Sequence, residues 1–294
     1  MTRDRAASIA VPRELPAVPR RVHMELTARC DLHCMHCAAA MHERRRGDMD
    51  YAFFLRTAAT LRRLGVVELG LSHLGEPFLC RWLPEAVHHA KRDLGFPFVF
   101  VTTNGRMATP ERVRDCMEAG LDSLEFSYNT VGPDQFHYVT GAREQDFWKL
   151  EVNLMAARLV RDEVEARSGH RCALVASSIR FDAAQVRRMQ RALKRIRASV
   201  DAHYWRPLRG PCGLGGEHAE CAKPCRALFQ QAHITHDGYL SACAYDNDDR
   251  FHMGDLSCET FLEAWHAERF AELRAAHMRG DVAGTACESC VTCQ

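Results

Sequence analysis

Apolar and polar positions alternate along six short stretches of the chain, and between those stretches apolar residues recur every three or four positions. The alternating stretches predict strands over Val22–Thr27, Val66–Ser72, Pro97–Thr103, Ser123–Tyr128, Cys172–Ile179 and Ser199–Arg206. The helical spacing predicts amphipathic helices over Tyr51–Leu64, Leu83–Leu94, Pro110–Ala119, Gln145–Ala166 and Ala183–Ile196. In the last of these, Val186, Met189, Leu193 and Ile196 form one stripe that a helix would bury. Regular alternation of strand and helix implies an α/β fold with a parallel sheet, right-handed and curled, either open and doubly wound or a partial barrel. In both, ligands gather at the C-terminal ends of the strands.

The alternation breaks at Gly210–Pro224, where Gly, Pro and Cys accumulate, and a domain boundary is expected there. Three regions result: an N-terminal extension over 1–21, a main body over 22–209 and a cysteine-rich region over 210–294. A hairpin is predicted from Ala232–Thr235 and Tyr239–Cys243 around Asp237-Gly238. One helix is then predicted over Glu259–His277, presenting Phe261, Leu262, Trp265, Phe270 and Leu273.

Composition changes this picture in one respect. At 294 residues, 47% hydrophobic and 26% charged, the chain reads as an ordinary globular protein. A formal charge of +1 offers no bulk attraction to nucleic acid or an anionic membrane. Met1 to Arg21 has five arginines and three prolines but no signal-peptide core, and no run approaches a membrane span. The unusual feature is fourteen cysteines. A cytoplasmic setting is expected, and there clustered cysteines more often hold metal or do chemistry than form disulfides.

The first cluster is Cys30-Asp-Leu-His-Cys34-Met-His-Cys37, just past the first predicted strand. Three thiolates so spaced suit a cluster of soft metal ions, and a 4Fe–4S cluster held by three cysteines leaves one iron open. A structural zinc site is the alternative, but zinc normally closes with a fourth ligand and His36 lies awkwardly between its neighbours. The spacing resembles the radical SAM superfamily, whose other marks follow in order. Leu74-Gly75-Glu76-Pro77 resembles the Gly-Gly-Glu-Pro segment that receives the methionyl amino group, with Leu for the first Gly. Thr102-Thr103-Asn104-Gly105 resembles the family's Thr-Asn-Gly turn, and Ser127-Tyr128-Asn129 its Ser-x-Asp segment. His36 stands where an aromatic residue usually packs on adenine. The resemblance thus implies a partial (β/α)6 barrel that binds S-adenosylmethionine through His36, Gly75, Glu76, Thr103, Asn104 and Ser127.

The second cluster, Cys225, Gly238, Cys243 and Cys287-x2-Cys290, resembles the twitch domain, a small relative of the SPASM domain. The resemblance implies an auxiliary 4Fe–4S cluster on Cys225, Cys243, Cys287 and Cys290, with Cys221 and Cys293 as spare candidates. Little sequence follows the final pair, which is the ground for expecting one auxiliary cluster. A tail stapled by zinc is the alternative on spacing alone. Within the superfamily, the layout resembles the dehydrogenases and epimerases of aminoglycoside antibiotic pathways, those of the butirosin and spectinomycin pathways included. The implied reaction oxidises a secondary alcohol of an aminocyclitol or aminoglycoside to a ketone, with flavodoxin or ferredoxin as electron donor and no nucleic acid or membrane partner. The alternatives are an epimerase using a cysteine hydrogen donor and a peptide-modifying maturase, the latter disfavoured because no extra N-terminal domain is seen to hold a leader. A zinc-stapled binding module is the non-catalytic reading.

Seven cysteines stay unclaimed, at 80, 116, 172, 212, 221, 258 and 293, and none is an obvious hydrogen donor. Cys116 and Cys172 read as inert buried residues. Asp182, after the fifth strand, is either a catalytic base or the cap of the following helix. Arg206, leaving the sixth strand, could bind a substrate hydroxyl, tune a cluster or sit at a solvated edge. The acidic run of Asp246, Asp248 and Asp249 and the basic run of Arg44, Arg45 and Arg46 read as solvated loops.

Overall fold

The computed structural model describes residues 16–37, 46–207, 224–244, 246 and 251–288. Alternation sets the sheet first. In β1 (Arg21–Met24), Val22 and Met24 are buried while Arg21 and His23 point to the other face. The same alternation recurs in β3 (Phe98–Thr103) and β4 (Ser123–Ser127), with Val99, Val101, Leu124 and Phe126 on the buried side. With β2 (Glu68–Gly70), β5 (Ala173–Arg180) and β6 (Ala202–Pro207), these strands pair in parallel and lie side by side in chain order. The order never reverses, so the sheet is singly wound, which removes the doubly wound alternative and leaves the partial barrel. Right-handed crossovers then place the intervening helices on one face.

Past residue 224 the chain returns to the opposite edge. β7 (Gln231–Ile234) pairs in parallel with β1, then β8 (Tyr239–Ser241) and β9 (His252–Asp255) continue antiparallel, giving the order β6-β5-β4-β3-β2-β1-β7-β8-β9. The cysteine-rich region therefore extends the same sheet. The hairpin is as expected, while β9 carries too short an alternation to be read from sequence.

The helices follow their caps and stripes. α1 (Tyr51–Arg63) starts where the Asp50 carboxylate accepts from the Phe53 N–H at 2.7 Å, and buries Phe54, Ala58 and Leu61. α2 (Leu83–His88) passes into a wider π turn over His89–Asp93, which keeps Ala90 buried and sets His89 against Asp93. α3 (Pro110–Ala119), α5 (Asp146–Ser168) and α6 (Ala183–Ile196) lie where the spacing predicts them. On α6 the buried stripe is Gln185, Met189, Ala192 and Ile196, about one position round from the expected one, so Val186 and Leu193 are only half-buried. α4 (Pro133–Thr140) was not anticipated. None of the described helices is long and apolar enough to cross a membrane.

The single helix expected over 259–277 is two. After the short α7 (Ala227–Gln230) and the hairpin, Thr260 and Glu263 form a capping box that starts α8 (Phe261–Trp265), and extended backbone at Ala267 separates it from α9 (Glu268–Arg279). The break is held by Arg274, 3% exposed, whose guanidinium donates to the carbonyls of Trp265 (2.7 Å) and Leu228 (2.9 Å). It also lies 3.4 Å from the Phe270 ring centroid and 4.0 Å from that of Trp265. Arg274→Ala is expected to destabilise the protein by about 2–4 kcal/mol, read as a lower denaturant midpoint. Lysine should recover little, since an ammonium cannot span both carbonyls and stack. A loss under about 1 kcal/mol would mean that the guanidinium does not hold the break.

Candidate functional site

The loop after β1 carries Cys30, Cys34 and Cys37, all partly buried. It is propped by α4: His33 and Met35 donate their backbone N–H to the carbonyls of Thr140 (2.9 Å) and Val139 (2.8 Å). Burial pushes the Cys30 thiol up to about 12 and Cys34 further, with Cys37 adding to both and Cys30 to Cys34. Such thiols ionise when a cation joins them, so the trio fits a soft metal cluster. Among the described residues no three His, Cys, Asp or Glu side chains converge as they would on one ion; a cluster of several irons spreads its thiolates more widely. His36 is largely buried and meets Phe181 edge to face at 5.6 Å, and burial lowers its pKa to about 4.

The loops after β2 and β3 are locked to this one. Gly75 lies so close to the loop after β1 that a Cβ would stand 1.9 Å from the Thr27 carbonyl oxygen, leaving room for no other residue. Glu76, 2% exposed, accepts from Thr103 Oγ1 (2.6 Å), Asn104 N–H (2.7 Å) and Phe78 N–H (3.1 Å), while its own N–H donates to the Arg29 carbonyl (2.8 Å). Asn104 Nδ2 donates to Asp31 (2.7 Å) and lies 3.9 Å from Cys30 Sγ. Arg106 pairs with Asp31 (3.0 Å) and Asp146 (3.3 Å). Gly75, Glu76, Thr103 and Asn104 are thus gathered beside the cysteines. Ser127, at the end of β4, pairs in register with Ser177, and no contact ties it to that group.

Sequence reasoning missed Asp31, Arg106 and Asp146, ordinary charged residues that Arg106 joins across long stretches of chain. It also missed Glu25, 0% exposed, which accepts from Leu74 N–H and His236 N–H, both at 3.2 Å, and so joins β1, the Gly75 loop and the β7–β8 turn.

Cys225 and Cys243 lie at the opposite rim. The β7–β8 register carries Cys243 to the level of Gln231, where α7 ends, and Cys225 immediately precedes α7. Its backbone N–H donates to His277 Nδ1 (3.4 Å) on α9, and buried Cys287 follows that helix. Three cysteines fit a second metal centre by their chemistry; Cys290, Cys212, Cys221 and Cys293 lie outside the described residues. Asp246 is not solvated: it is 2% exposed and accepts from Ser241 Oγ at 2.8 Å. Asp248, Asp249, Arg44 and Arg45 are outside the described residues, and Arg46 is exposed. Cys80, Cys116 and Cys172 are buried in the core.

Between the two rims the sheet's concave face presents the polar residues Arg21, His23, Glu125, Ser177, Tyr204, Arg206 and His233 alongside Phe98 and Phe100. Glu125 accepts from Ser177 (2.8 Å), Tyr204 (2.5 Å) and Arg206 (2.6 Å), so Arg206 is anchored to the sheet although it lies exposed on the edge strand β6. Asp182 is exposed and caps α6, accepting from Gln185 N–H at 2.8 Å, which accounts for it without chemistry. A separate surface groove, lined by Tyr51, Glu85, His88, His89 and Asp93, lies on the outer helices.

Residues 24–160 match the radical SAM superfamily, and residues 225–294 match SPASM, an iron–sulfur cluster-binding domain. The chain is 35% identical over 131 residues to the PqqA peptide cyclase of Streptomyces rochei, spanning 44% of this chain and only 35% of that protein. It is 26% identical over 301 aligned positions to the GTP 3',8-cyclase of Mycobacterium marinum, spanning 85% and 82%. BtrN in complex with AdoMet and 2-DOIA superposes with a TM-score of 0.61 at 17% identity, covering 90% of this chain and 88% of that one. Streptococcus suis SuiB bound to S-adenosylmethionine gives 0.62 at 15%, covering 88% and 68%. Likeness at these identities shows a shared fold.

Gly75→Ala should abolish binding of S-adenosylmethionine by the iron-loaded protein, measured by equilibrium dialysis under anaerobic conditions, because the Thr27 carbonyl has to move. Gly132→Ala, where nothing lies within 4 Å of the new Cβ, should bind normally. Normal binding by the Gly75 variant would remove that loop from the cofactor site.

Proposed function

With a radical SAM domain followed by an iron–sulfur cluster-binding SPASM domain, the chain is a member of the radical SAM superfamily, and we propose that it oxidises a secondary alcohol of an aminocyclitol or aminoglycoside to a ketone. The supporting observation is extent. The likeness to BtrN bound to AdoMet and 2-DOIA runs over nearly the whole of both chains, whereas that to SuiB leaves about a third of SuiB uncovered. The polar concave face between the two cysteine rims suits a hydroxylated substrate.

When bound, S-adenosylmethionine and a cluster held by Cys30, Cys34 and Cys37 would supply abstraction of a hydrogen atom from the alcohol carbon, and an auxiliary cluster held by Cys225, Cys243, Cys287 and, as the resemblance implies, Cys290 would take up the remaining electron, with the hydroxyl proton released to bulk water. The chain's own residues fix the geometry. Glu76 holds Thr103 and Asn104 against the cysteine loop, Gly75 lets its own loop approach the loop after β1, and the His36 ring offers a face for adenine. Glu125, Tyr204 and Arg206 fix the far wall of the concave face, where Arg206 can present its remaining donors to a hydroxyl.

A second reading, modification of a peptide, has support from the 35% identity to the PqqA peptide cyclase over 131 residues. Assaying 5'-deoxyadenosine release against a panel of aminocyclitols and short peptides separates the two: stimulation by peptides alone would replace the alcohol reading.

Replacing Cys30, Cys34 and Cys37 together by Ala is expected to abolish 5'-deoxyadenosine formation while leaving the auxiliary iron signal in EPR. Residual cleavage in the reconstituted triple variant would contradict the assignment. Cys287→Ala should block ketone formation while some cofactor cleavage survives, followed by chromatography of both products. If Cys293→Ala loses the auxiliary cluster and Cys290→Ala keeps it, the fourth ligand is Cys293.

A further inference from the structure

Three imidazoles meet beside β1 and β7. His23 on β1 and His233 on β7 are register partners, and their rings stack at 4.8 Å with 19° between planes. His73, three residues before Glu76, places its ring 4.8 Å from His233 on the β2 side. Gly70 makes the space: a Cβ there would meet the Phe100 ring at 2.7 Å and His23 Nδ1 at 2.8 Å. His23 Nδ1 is hydrogen-bonded to the Ser72 carbonyl at 3.2 Å.

His233 differs from its neighbours. It is 1% exposed, and neither Nδ1 nor Nε2 has a hydrogen-bond partner. Buried polar groups in native proteins are almost always paired, and leaving one unpaired costs about 1–3 kcal/mol. Burial, together with Arg21, His23 and His73, holds its pKa well below the usual histidine value, so the ring is neutral with one donor and one acceptor nitrogen. A hydroxyl both gives and accepts a hydrogen bond and pairs with either nitrogen; an ammonium only gives and a carboxylate only accepts.

We propose that His233, flanked by His23 and His73, is the residue that binds hydroxyl groups of a polyhydroxylated carbocycle, holding the substrate between the cysteine rims. This rests on the alcohol reading above and adds the wall opposite Glu125, Tyr204 and Arg206. The polar face then has hydrogen-bonding groups on both sides of a ring-shaped ligand, with the imidazole column next to the loop that carries Glu76.

The test uses the cluster-loaded protein with S-adenosylmethionine present, and two probes, myo-inositol and 2-deoxystreptamine, titrated by calorimetry. Wild type should bind at least one. His233→Phe should weaken that binding roughly tenfold or more, the value of one hydrogen bond of ordinary strength, and leave S-adenosylmethionine binding unchanged. Its thermal midpoint without probe should be equal to or above that of wild type, because an apolar ring replaces an unpaired polar one. His233→Asn, which restores a donor and an acceptor, should retain more affinity than Phe. Equal probe affinities in wild type and both variants would overturn the role of His233 while leaving the alcohol reading intact. A phenylalanine variant that fails to fold or melts lower would also overturn it, by showing a structural imidazole. Binding of neither probe to wild type would remove the substrate class, and the alcohol reading with it.

Discussion

Two carboxylates with almost no access to water tie together the rim of the sheet where the cofactor loops meet. Glu25 and Glu76 are 0% and 2% exposed, and each spends its oxygens on N–H or O–H donors from other loops. Burial pushes Glu76 up to about 7 against the pull of Thr103 and the Asn104 N–H. A carboxylate removed from water must find donors or lose its charge, so the loops after β1, β2, β3 and β7 take up their positions together. The Cys30 loop is drawn in through the Arg29 carbonyl and Asp31, and Gly75 is the residue that lets the loops approach closely enough.

Much of this was legible in the sequence, for a reason that also explains what was not. The strands from Val22 to Arg206 and the helices between them show their periods locally, and the Cys30, Glu76 and Asn104 segments carry distinctive residues at strand ends. What failed to show depends on partners distant in sequence. The break between α8 and α9 is made by Arg274 reaching back to Trp265 and Leu228, which no helical period records. Gln185 takes the place of Val186 on the buried face of α6, a rotation set by what the helix packs against and not by its own period. The imidazole column joins positions 23, 73 and 233, and each alone looks like an ordinary histidine. Asp182 had two readings in sequence, and the bond to Gln185 N–H supports the cap.

The division of labour between the faces of the sheet follows from the same alternation. One face is packed with Val, Leu and Phe under the helices and supplies stability; the other carries hydrogen-bonding groups that a purely structural sheet would avoid. Glu125 satisfies three of them, and His233 is left without a partner. Stability and recognition are thereby assigned to alternate residues of the same strands, and a change on one face can leave the other largely intact.

The parallel pairing of β1 with β7 also fixes the order in which the molecule can be assembled. While the chain is being synthesised, β1 is an edge strand, since its second neighbour is made more than two hundred residues later. Contacts of such long sequence separation form late and slowly. The strand that leads into the Cys30 loop therefore acquires its final environment only when the segment bearing Cys225 and Cys243 has emerged and docked. An interrupted chain presents an open sheet edge, the kind of surface that recruits other strands.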